Sequence, residues 1–323
     1  MSATRVGLIV TGDAEALGFA DALQRLWPQS TATFEALENH ERPESRKYEA
    51  FTTSKISVES VRRQRETLAE SHDDPRAPAH IDRLVQACFY HLDPPSRRDA
   101  VDYVVVIDDV ELANRGNETA LLEVVRDAVD RVSSWGSWDQ VQRMRVRERS
   151  SFHFLDPMLE AYFFASAPSL AAIRREIVSM GTVQTTSASC ERFAVDPKDA
   201  AFFAPPGECA RKRRDRDRKC PWRATGGQNL AEHPKRYLQY LCRAAAPNEF
   251  CTDYQETKQG VAALRALDWP SVLAASAPFL QALVEDIADM IGTPPNVSLP
   301  PTSSTALTAL ANTMRARSVL RNV

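Results

Sequence analysis

Apolar and polar positions along the first half of the chain switch repeatedly between two periods. Short apolar runs of strand length occur at 5–10 and 101–107, with further candidates at 31–37 and 150–155. The run Val104-Val105-Val106-Ile107 has the unbroken β-branched character of a strand buried on both faces. Between these runs the spacing becomes helical. Leu17, Ala20, Leu23, Leu26 and Trp27 share one face over 16–27, and Ile81, Leu84, Val85 and Cys88 do so over 80–92, where Asp93-Pro94-Pro95 ends the helix. Residues 56–69 read as a charged surface helix and 118–132 as an amphipathic one. Polar loops at 39–46 and 71–78 and a turn at 114–117 separate them. Strands alternating with helices predict an α/β fold with a mostly parallel sheet flanked by helices. Right-handed crossovers would bring the ends of the first and third strands to one edge of that sheet.

After the fourth strand the pattern changes. Asp156-Pro157 has the form of an acid cap followed by proline at the first helical position, so a helix is expected over 158–165, with Glu160 among Leu159, Tyr162, Phe163 and Phe164. Further helices are expected at 169–180, 233–242, 280–291 and 307–320, with a short one ending near Trp269. Irregular Ser/Thr- and Pro-rich stretches lie between them. The division is therefore an α/β domain over 1–166 and a mainly helical region over 167–323, with a basic loop at 209–223.

Length and composition agree with this picture. A chain of 323 residues has room for two domains or one enlarged α/β domain, and its apolar and charged fractions are ordinary for a globular protein. The net charge of −3 favours no class of partner. No apolar run approaches the roughly 20 residues needed to span a bilayer. The start runs directly into a strand and lacks the small-residue cleavage site of a signal peptide. Six scattered cysteines resemble thiols of a reducing compartment. A cytoplasmic location without membrane contact is the expectation.

Candidate chemistry is concentrated at strand ends. Asp108, Asp109 and Glu111 stop the third strand abruptly, at the carboxyl edge where open α/β sheets hold ligands. Carboxylates so close repel one another, and a proton, a basic partner or a divalent cation relieves the repulsion. The first strand ends in Thr11-Gly12-Asp13-Ala14-Glu15. Glu15 suits the first turn of a helix, and Gly12 would let Asp13 and Glu15 turn toward the same crevice. Neither a dinucleotide fingerprint nor a Walker loop is present. Glu160 is an acid inside an aromatic helix, and charged residues are rarely buried without purpose.

Basic residues supply the complementary half. Seven of them face two aspartates between Cys209 and Cys220, and Arg211, Lys212, Arg213 and Arg214 form the densest part. Such a segment neutralises phosphate charge when it binds nucleic acid. Lys235 and Arg236 stand in the first turn of a helix, where the dipole disfavours cations unless an anion is near. Glu256 and Lys258 have the E-x-K spacing of some metal-dependent nucleases. Cys209, Cys220, His233, Cys242 and Cys251 are zinc-type ligands, but no C-x2-C pair accompanies them. No zinc site is assigned, and participation of Cys209, Cys220 and His233 is left open.

GLIVTGDAEAL at 7–17, VVVIDDVE at 104–111, FLDPMLEAYFFA at 154–165, HPKRYLQYLC at 233–242 and YQETKQGVAAL at 254–264 together resemble a bacterial family of uncharacterised proteins with a Toprim-like N-terminal domain. Toprim is the metal-binding fold of topoisomerases, primases and overcoming-lysogenization-defect nucleases. In that pattern Glu15 matches the second acid and Asp108 the first aspartate of the pair. Thr11 stands in the first glutamate's place and Val110 in the second aspartate's, with Asp109 and Glu111 as nearby substitutes.

The resemblance implies a Mg2+- or Mn2+-dependent nuclease with a role in phage defence. Glu15, Asp108 and Glu160 would be catalytic, and Glu15, Asp108, Asp109 and Glu111 would hold the metal. Arg211, Lys212, Arg213, Arg214, Lys235, Arg236 and Lys258 would hold DNA or RNA. It also implies an SMC- or ABC-like ATPase partner, by analogy with relatives, and leaves homo-oligomerisation open. The departures at Thr11 and Val110 define the alternative, a catalytically degenerate subunit that binds such an ATPase or nucleic acid.

Overall fold

A computed structural model describes residues 3–72, 79–96, 99–135, 137–179, 189–203, 230–245 and 254–300. The basic segment with Arg211, Lys212, Arg213 and Arg214, the cysteines Cys209, Cys220 and Cys251, and the helix expected at 307–320 lie outside the described residues.

The apolar runs form the four strands of one sheet: β1 (Arg5–Val10), β2 (Thr33–Ala36), β3 (Tyr103–Asp109) and β4 (Ser150–Leu155). All pairings are parallel and the order is β2-β1-β3-β4. The two central strands, β1 and β3, are the most apolar because they are covered on both faces. Their register places Val10 beside Ile107, and β3 pairs Asp109 with Leu155.

Between β1 and β2 runs α1 (Asp13–Gln24), on one face of the sheet. On the opposite face lie α2 (Val58–His72) and α3 (His80–Leu92), between β2 and β3, and α4 (Glu118–Ser133) and α5 (Gln140–Arg149), between β3 and β4. The chain therefore leaves β1 in one direction and β3 in the other. The crevice at their carboxyl ends is a topological switch point.

The period of two divides the strand residues between the faces. Val6, Leu8, Val10, Val105 and Ile107 join the core beneath α1, whereas Ile9, Val104, Val106, Phe152 and Phe154 join the core beneath α3 and α4. By this alternation Asp109 belongs to the α1 face and Asp108 to the other.

The chain after β4 completes the α1 face. It comprises α6 (Glu160–Phe163), α7 (Ala167–Ile173), α8 (Arg175–Ser179), α9 (Ala200–Phe203), α10 (Pro234–Ala245), a π-helical turn (Glu256–Gly260), α11 (Val261–Arg265), α12 (Trp269–Ala274) and α13 (Pro278–Ile291). Tyr162, Tyr237, Leu264, Trp269 and Leu283 share one continuous apolar cluster with Leu8 and Phe19. The boundary expected between residues 166 and 167 thus falls inside a single core. Polar ties reinforce it: Trp269 Nε1 donates to Ala22 O at 3.0 Å and Trp27 Nε1 to Thr293 O at 2.9 Å. Glu191 accepts from the Phe279 and Leu280 amides at the start of α13 and from Tyr162 Oη. No helix among the described residues is long and apolar enough to cross a membrane.

Three local expectations are corrected. The peptide Asp156–Pro157 is cis, and helix begins only at Glu160, for a single turn. The helix expected at 169–180 is two helices, because Arg174 between them is extended (φ −163°, ψ 121°). The unexpected α5 is too polar to show an apolar stripe, but Asp139 and Gln142 form a reciprocal capping box that starts it.

Asn114, fully buried, pins the loop that runs past the end of β3. Its Oδ1 accepts from Ile56 N at 2.7 Å, and its Nδ2 donates to Thr52 O at 2.7 Å and Ser54 O at 3.0 Å. Asn114→Ala strands three backbone groups and is expected to cost about 2–4 kcal/mol in chemical denaturation. A loss below about 0.5 kcal/mol, the usual size of a neutral surface change, would refute this role for the side chain.

Candidate metal centre

Gly12, two residues beyond β1 and immediately before α1, is extended and offers no side-chain cap to that helix. The third residue of that helix, Glu15, fills the gap. Its carboxylate lies so close over Gly12 that a Cβ there would sit 2.0 Å from Oε2, so only glycine permits this pose. The carboxylate also accepts from its own backbone N–H, one of the free donors of the first helical turn. Burial pushes Glu15 up to about 8, and the nearby negative charges of Glu160 and Glu256 push the same way.

Asp109, last residue of β3, faces the same side. Its Oδ1 accepts from Leu159 N at 3.2 Å. Burial, followed by the charges of Glu15, Glu111 and Glu160, holds its carboxyl well above the usual range. Glu111 follows with φ 61° and ψ 150°, a region almost reserved for glycine. Holding a side-chain-bearing residue there costs about 1–3 kcal/mol. The flanking bonds Val110 N to Leu155 O at 2.9 Å and Glu111 N to Pro157 O at 2.8 Å impose the conformation. Burial and the Asp108 and Glu160 charges move Glu111 up to about 7.

The second half of the chain closes the ring. Glu160, at the start of α6, is buried, and that burial raises its carboxyl. Glu256 comes from the π-helical turn and makes an ion pair with Lys235 of α10. Gly260 lets this turn press against α1: a Cβ there would lie 2.7 Å from Tyr254 Oη and 3.2 Å from Ala14 Cβ. Burial, then the charges of Arg236 and Lys235, lowers His233 to about 4, so the imidazole is neutral near pH 7. Its Nδ1 is buried without a hydrogen-bond partner.

These residues surround one cavity of about 160 Å³, lined by five carboxylates (Glu15, Asp109, Glu111, Glu160, Glu256), by Lys235, Arg236 and His233, and by Gly12 and Met158. It is large enough for several water molecules. If all five acids were ionised against two cations the lining would carry an excess of three negative charges. Only protons or added cations can offset that in a buried space. Among the described residues, however, no three ligand-type side chains converge closely enough to form a ready coordination shell.

The structure thus brings together Glu15, Asp109, Glu111, Glu160, Lys235 and Arg236. It separates Asp108 from them. Both Asp108 oxygens are used on the other face: Oδ1 accepts from Thr11 Oγ1 at 2.5 Å and Asp109 N at 3.0 Å, and Oδ2 from Phe51 N and Thr52 Oγ1, both at 3.3 Å. Burial raises Asp108 to about 6 despite these donors. It is absent from the cavity wall because the pleat of β3 turns it away. Asp13 is also diverted, into an ion pair with Lys47 at 2.6 Å. Lys258 is exposed on the π-helical turn and does not line the cavity, although Glu256 from the same E-x-K does. Glu256 and His233 were the residues undervalued by sequence reasoning. The E-x-K spacing was the available signal for Glu256; for His233 only its place beside Lys235 and Arg236 pointed here.

The raised carboxyls make stability depend on pH. A carboxyl at about 8 in the fold and near 4.5 unfolded stays protonated in the native state where the open chain has lost its proton. Its contribution is complete at low pH and is lost as pH rises through about 8. Glu191, burial-raised to about 8, acts in the same sense. His233 and His91, both lowered to about 4, act oppositely but are neutral in both states above about pH 7. The melting temperature is therefore expected to fall between pH 7 and 8.5, with a shallower fall in Glu15→Gln. Calorimetry showing a level or rising wild-type melting temperature over that window would contradict these assignments. No family model, curated protein or solved structure matches the chain.

Proposed function

We propose that the protein is a divalent-cation-dependent nuclease that hydrolyses phosphodiesters of DNA or RNA. The observation carrying this reading is the ring of five carboxylates around one cavity, Glu15 and Glu160 buried and the other three partly exposed, with Lys235 and Arg236 in the same lining, at the switch point between β1 and β3. By chemical type the donors suit a hard cation such as Mg2+ or Mn2+, being carboxylate oxygens with no thiolate in the wall, although no three of them converge as a coordination shell among the described residues. Asp109, Glu15, Glu111, Glu160 and Glu256 are the side chains that would hold the ion. When bound, such an ion supplies Lewis-acid polarisation of a phosphoryl group and helps generate the attacking nucleophile.

The remaining groups have distinct tasks. Lys235 and Arg236 occupy the first turn of α10, a helix of 12 residues whose amino end favours an anion. A phosphate there would be held by two cations and the dipole together. His233, neutral, is a hydrogen-bonding group of the cavity wall and, lowered to about 4, is too weak a base to hold a proton near pH 7. The basic stretch from Arg211 to Lys219 precedes this helix in the chain and would extend contact along a nucleic-acid backbone. The resemblance to Toprim proteins supports the reading at Glu15. At the third strand Asp109, one residue beyond the position the motif indicated, takes the acidic role.

Thr11 favours a second reading. It stands where the Toprim pattern has its first glutamate, and its hydroxyl is bonded to Asp108 instead of lining the cavity. A catalytically silent subunit, binding an SMC- or ABC-like ATPase or nucleic acid, would have that substitution.

The two separate in one assay. Labelled single- and double-stranded DNA and RNA are incubated with the full chain and Mg2+ or Mn2+. The nuclease reading expects metal-dependent cleavage that Asp109→Asn lowers by about 100-fold or more, the scale of a lost catalytic group. Asp108→Asn should retain activity within about tenfold and Lys258→Ala within about twofold, as expected of groups outside the chemistry. Full cleavage by Asp109→Asn would sink the assignment. A folded wild type that cuts none of these substrates with either metal would favour the silent subunit.

A further inference from the structure

The two edges of the sheet differ. β4 is buried along its whole length, whereas on β2 Thr33 is exposed and Phe34, Glu35 and Ala36 are half-buried. In a parallel ladder, alternate residues of a strand turn their backbone N–H and C=O toward the same neighbour. Thr33 N donates to Thr4 O at 2.8 Å and Leu37 N to Leu8 O at 2.9 Å. Residues 33, 35 and 37 therefore face β1, and the even-numbered residues face outward. At both ends of the strand these outward groups are engaged within the chain. Ala32 N donates to Ser30 Oγ at 2.9 Å, Ala32 O accepts from Gln24 Nε2 at 3.2 Å, and Glu38 O accepts from Tyr48 Oη at 3.2 Å. Between them, the N–H and C=O of Phe34 and Ala36 have no partner among the described residues.

Edge strands of soluble proteins often carry a proline, a bulge or an exposed lysine that blocks further pairing. β2 has none of these. Its register with β1 is unbroken from Thr33 to Ala36. Its one charge, Glu35, is held by Arg5 through Nε at 3.0 Å and Nη2 at 2.7 Å. Phe34 and Ala36 stand in register with Val6 and Leu8, so their side chains share the α1 face, and Glu35 lies on the opposite one.

We infer that this edge pairs with a second copy of the chain: two β2 strands run antiparallel across a two-fold axis at Glu35 and join the two sheets into one. A two-fold axis perpendicular to the sheet makes identical edges antiparallel, and the contact is self-complementary. Centred on Glu35, the axis sets Phe34 opposite Ala36 of the partner subunit. Each residue of that pair donates its N–H to the other's C=O, and the symmetric pair does the same, so every outward group at 34 and 36 is satisfied. An axis at Phe34 would bring Ala36 against the engaged Ala32 of the partner subunit. An axis at Ala36 would bring Phe34 against the engaged Glu38 of the partner subunit. The side chains agree with the central register. Each Phe34 ring meets a small alanine on the α1 face. On the other face two Glu35 carboxylates meet, a repulsive pair by themselves, but each brings its own Arg5 and the charges alternate.

The test is sedimentation velocity on the full chain without added metal, so that its result is independent of the cation and nuclease readings. Wild type is expected to dimerise with a dissociation constant of about 1–100 µM, in keeping with a small interface. Ala36→Pro removes an N–H that the described chain does not use, at an edge position where proline is tolerated. It takes away two of the four intermolecular bonds and is expected to weaken the dimer by about tenfold or more. Glu35→Cys reports the register while keeping the backbone groups. With oxidised glutathione, two Glu35→Cys chains should become linked through position 35, as peptide mass spectrometry would show, whereas Thr33→Cys should not link to its own copy.

A wild type that stays monomeric up to about 100 µM would overturn the inference, even if the edge accepts an unrelated extended peptide. A dimer that Ala36→Pro leaves intact would overturn it too, as would linkage through position 33 and not through 35. Either result would place the contact elsewhere. If Ala36→Pro does not fold, the linkage through position 35 decides alone.

Discussion

A β-strand can present neighbouring residues only to opposite faces of its sheet, and at the end of β3 that constraint decides what kind of site forms. Asp108 and Asp109 are adjacent in the chain but serve different sides. Asp108 turns to the α3–α4 face, where Thr11, Thr52 and two backbone amides take up its oxygens. Asp109 turns to the α1 face, where Glu15 waits on the first turn of α1. One aspartate stitches the ends of β1 and β3 to the loop at Phe51 and Thr52. The other looks into the crevice between diverging connections. A one-residue slip in the register of β3 would exchange these roles and put the apolar set on the wrong cores.

The α1 face would be incomplete without the second half of the chain. Glu160, Lys235 and Glu256 arrive on three separate elements, each fixed by its own apolar contacts in the cluster that also holds β1 and α1. Tyr237 anchors α10, Tyr162 anchors α6, and Gly260 allows the turn bearing Glu256 to approach Ala14. Hydrophobic burial therefore brings like charges together, which electrostatics alone would oppose. The raised carboxyls of Glu15, Asp109, Glu111 and Glu160 are the local cost of that assembly, and Lys235 offsets part of it.

Much of this was legible in the residues. The apolar runs at β1 and β3 and the helical spacing at α1 and α3 stated the α/β plan, because strands covered on both faces leave a strong signal. Four acids of the ring were identified as candidates for plain reasons: Glu15, Asp109 and Glu111 follow strands, and Glu160 sits among aromatics. The choice between Asp108 and Asp109 was also present in the alternation of 104, 106 and 108 against 105, 107 and 109, but a uniformly apolar strand conceals which face is which. Glu256 and His233 were noticed for their residue types, but their place in this ring was beyond such reasoning. Their positions depend on how α10 and the π-helical turn pack against α1, a matter of long-range contacts and not of local pattern. Helix α5 shows the converse: its capping box was written in Asp139 and Gln142, while the apolar stripe that normally announces a helix was missing.

The backbone at Glu111 joins these threads. A residue with a side chain is held at φ 61° immediately after the acidic strand end, fixed by hydrogen bonds to the segment that carries Pro157 and leads to Glu160. That strain and the burial of repelling acids are both unfavourable in isolation, and they occur within a few residues of each other on the same wall. A fold selected for stability alone would relax them with a glycine at 111 and a neutral side chain at 109, since neither change disturbs the apolar contacts that define the core. What the strained acids retain, and the relaxed version would lose, is a cluster of partly shielded oxygen donors short of positive charge. Protons and nearby positive charge are what such a cluster favours, and among the described residues the ammonium of Lys235 is the one that makes a direct ion pair with an acid of the cavity.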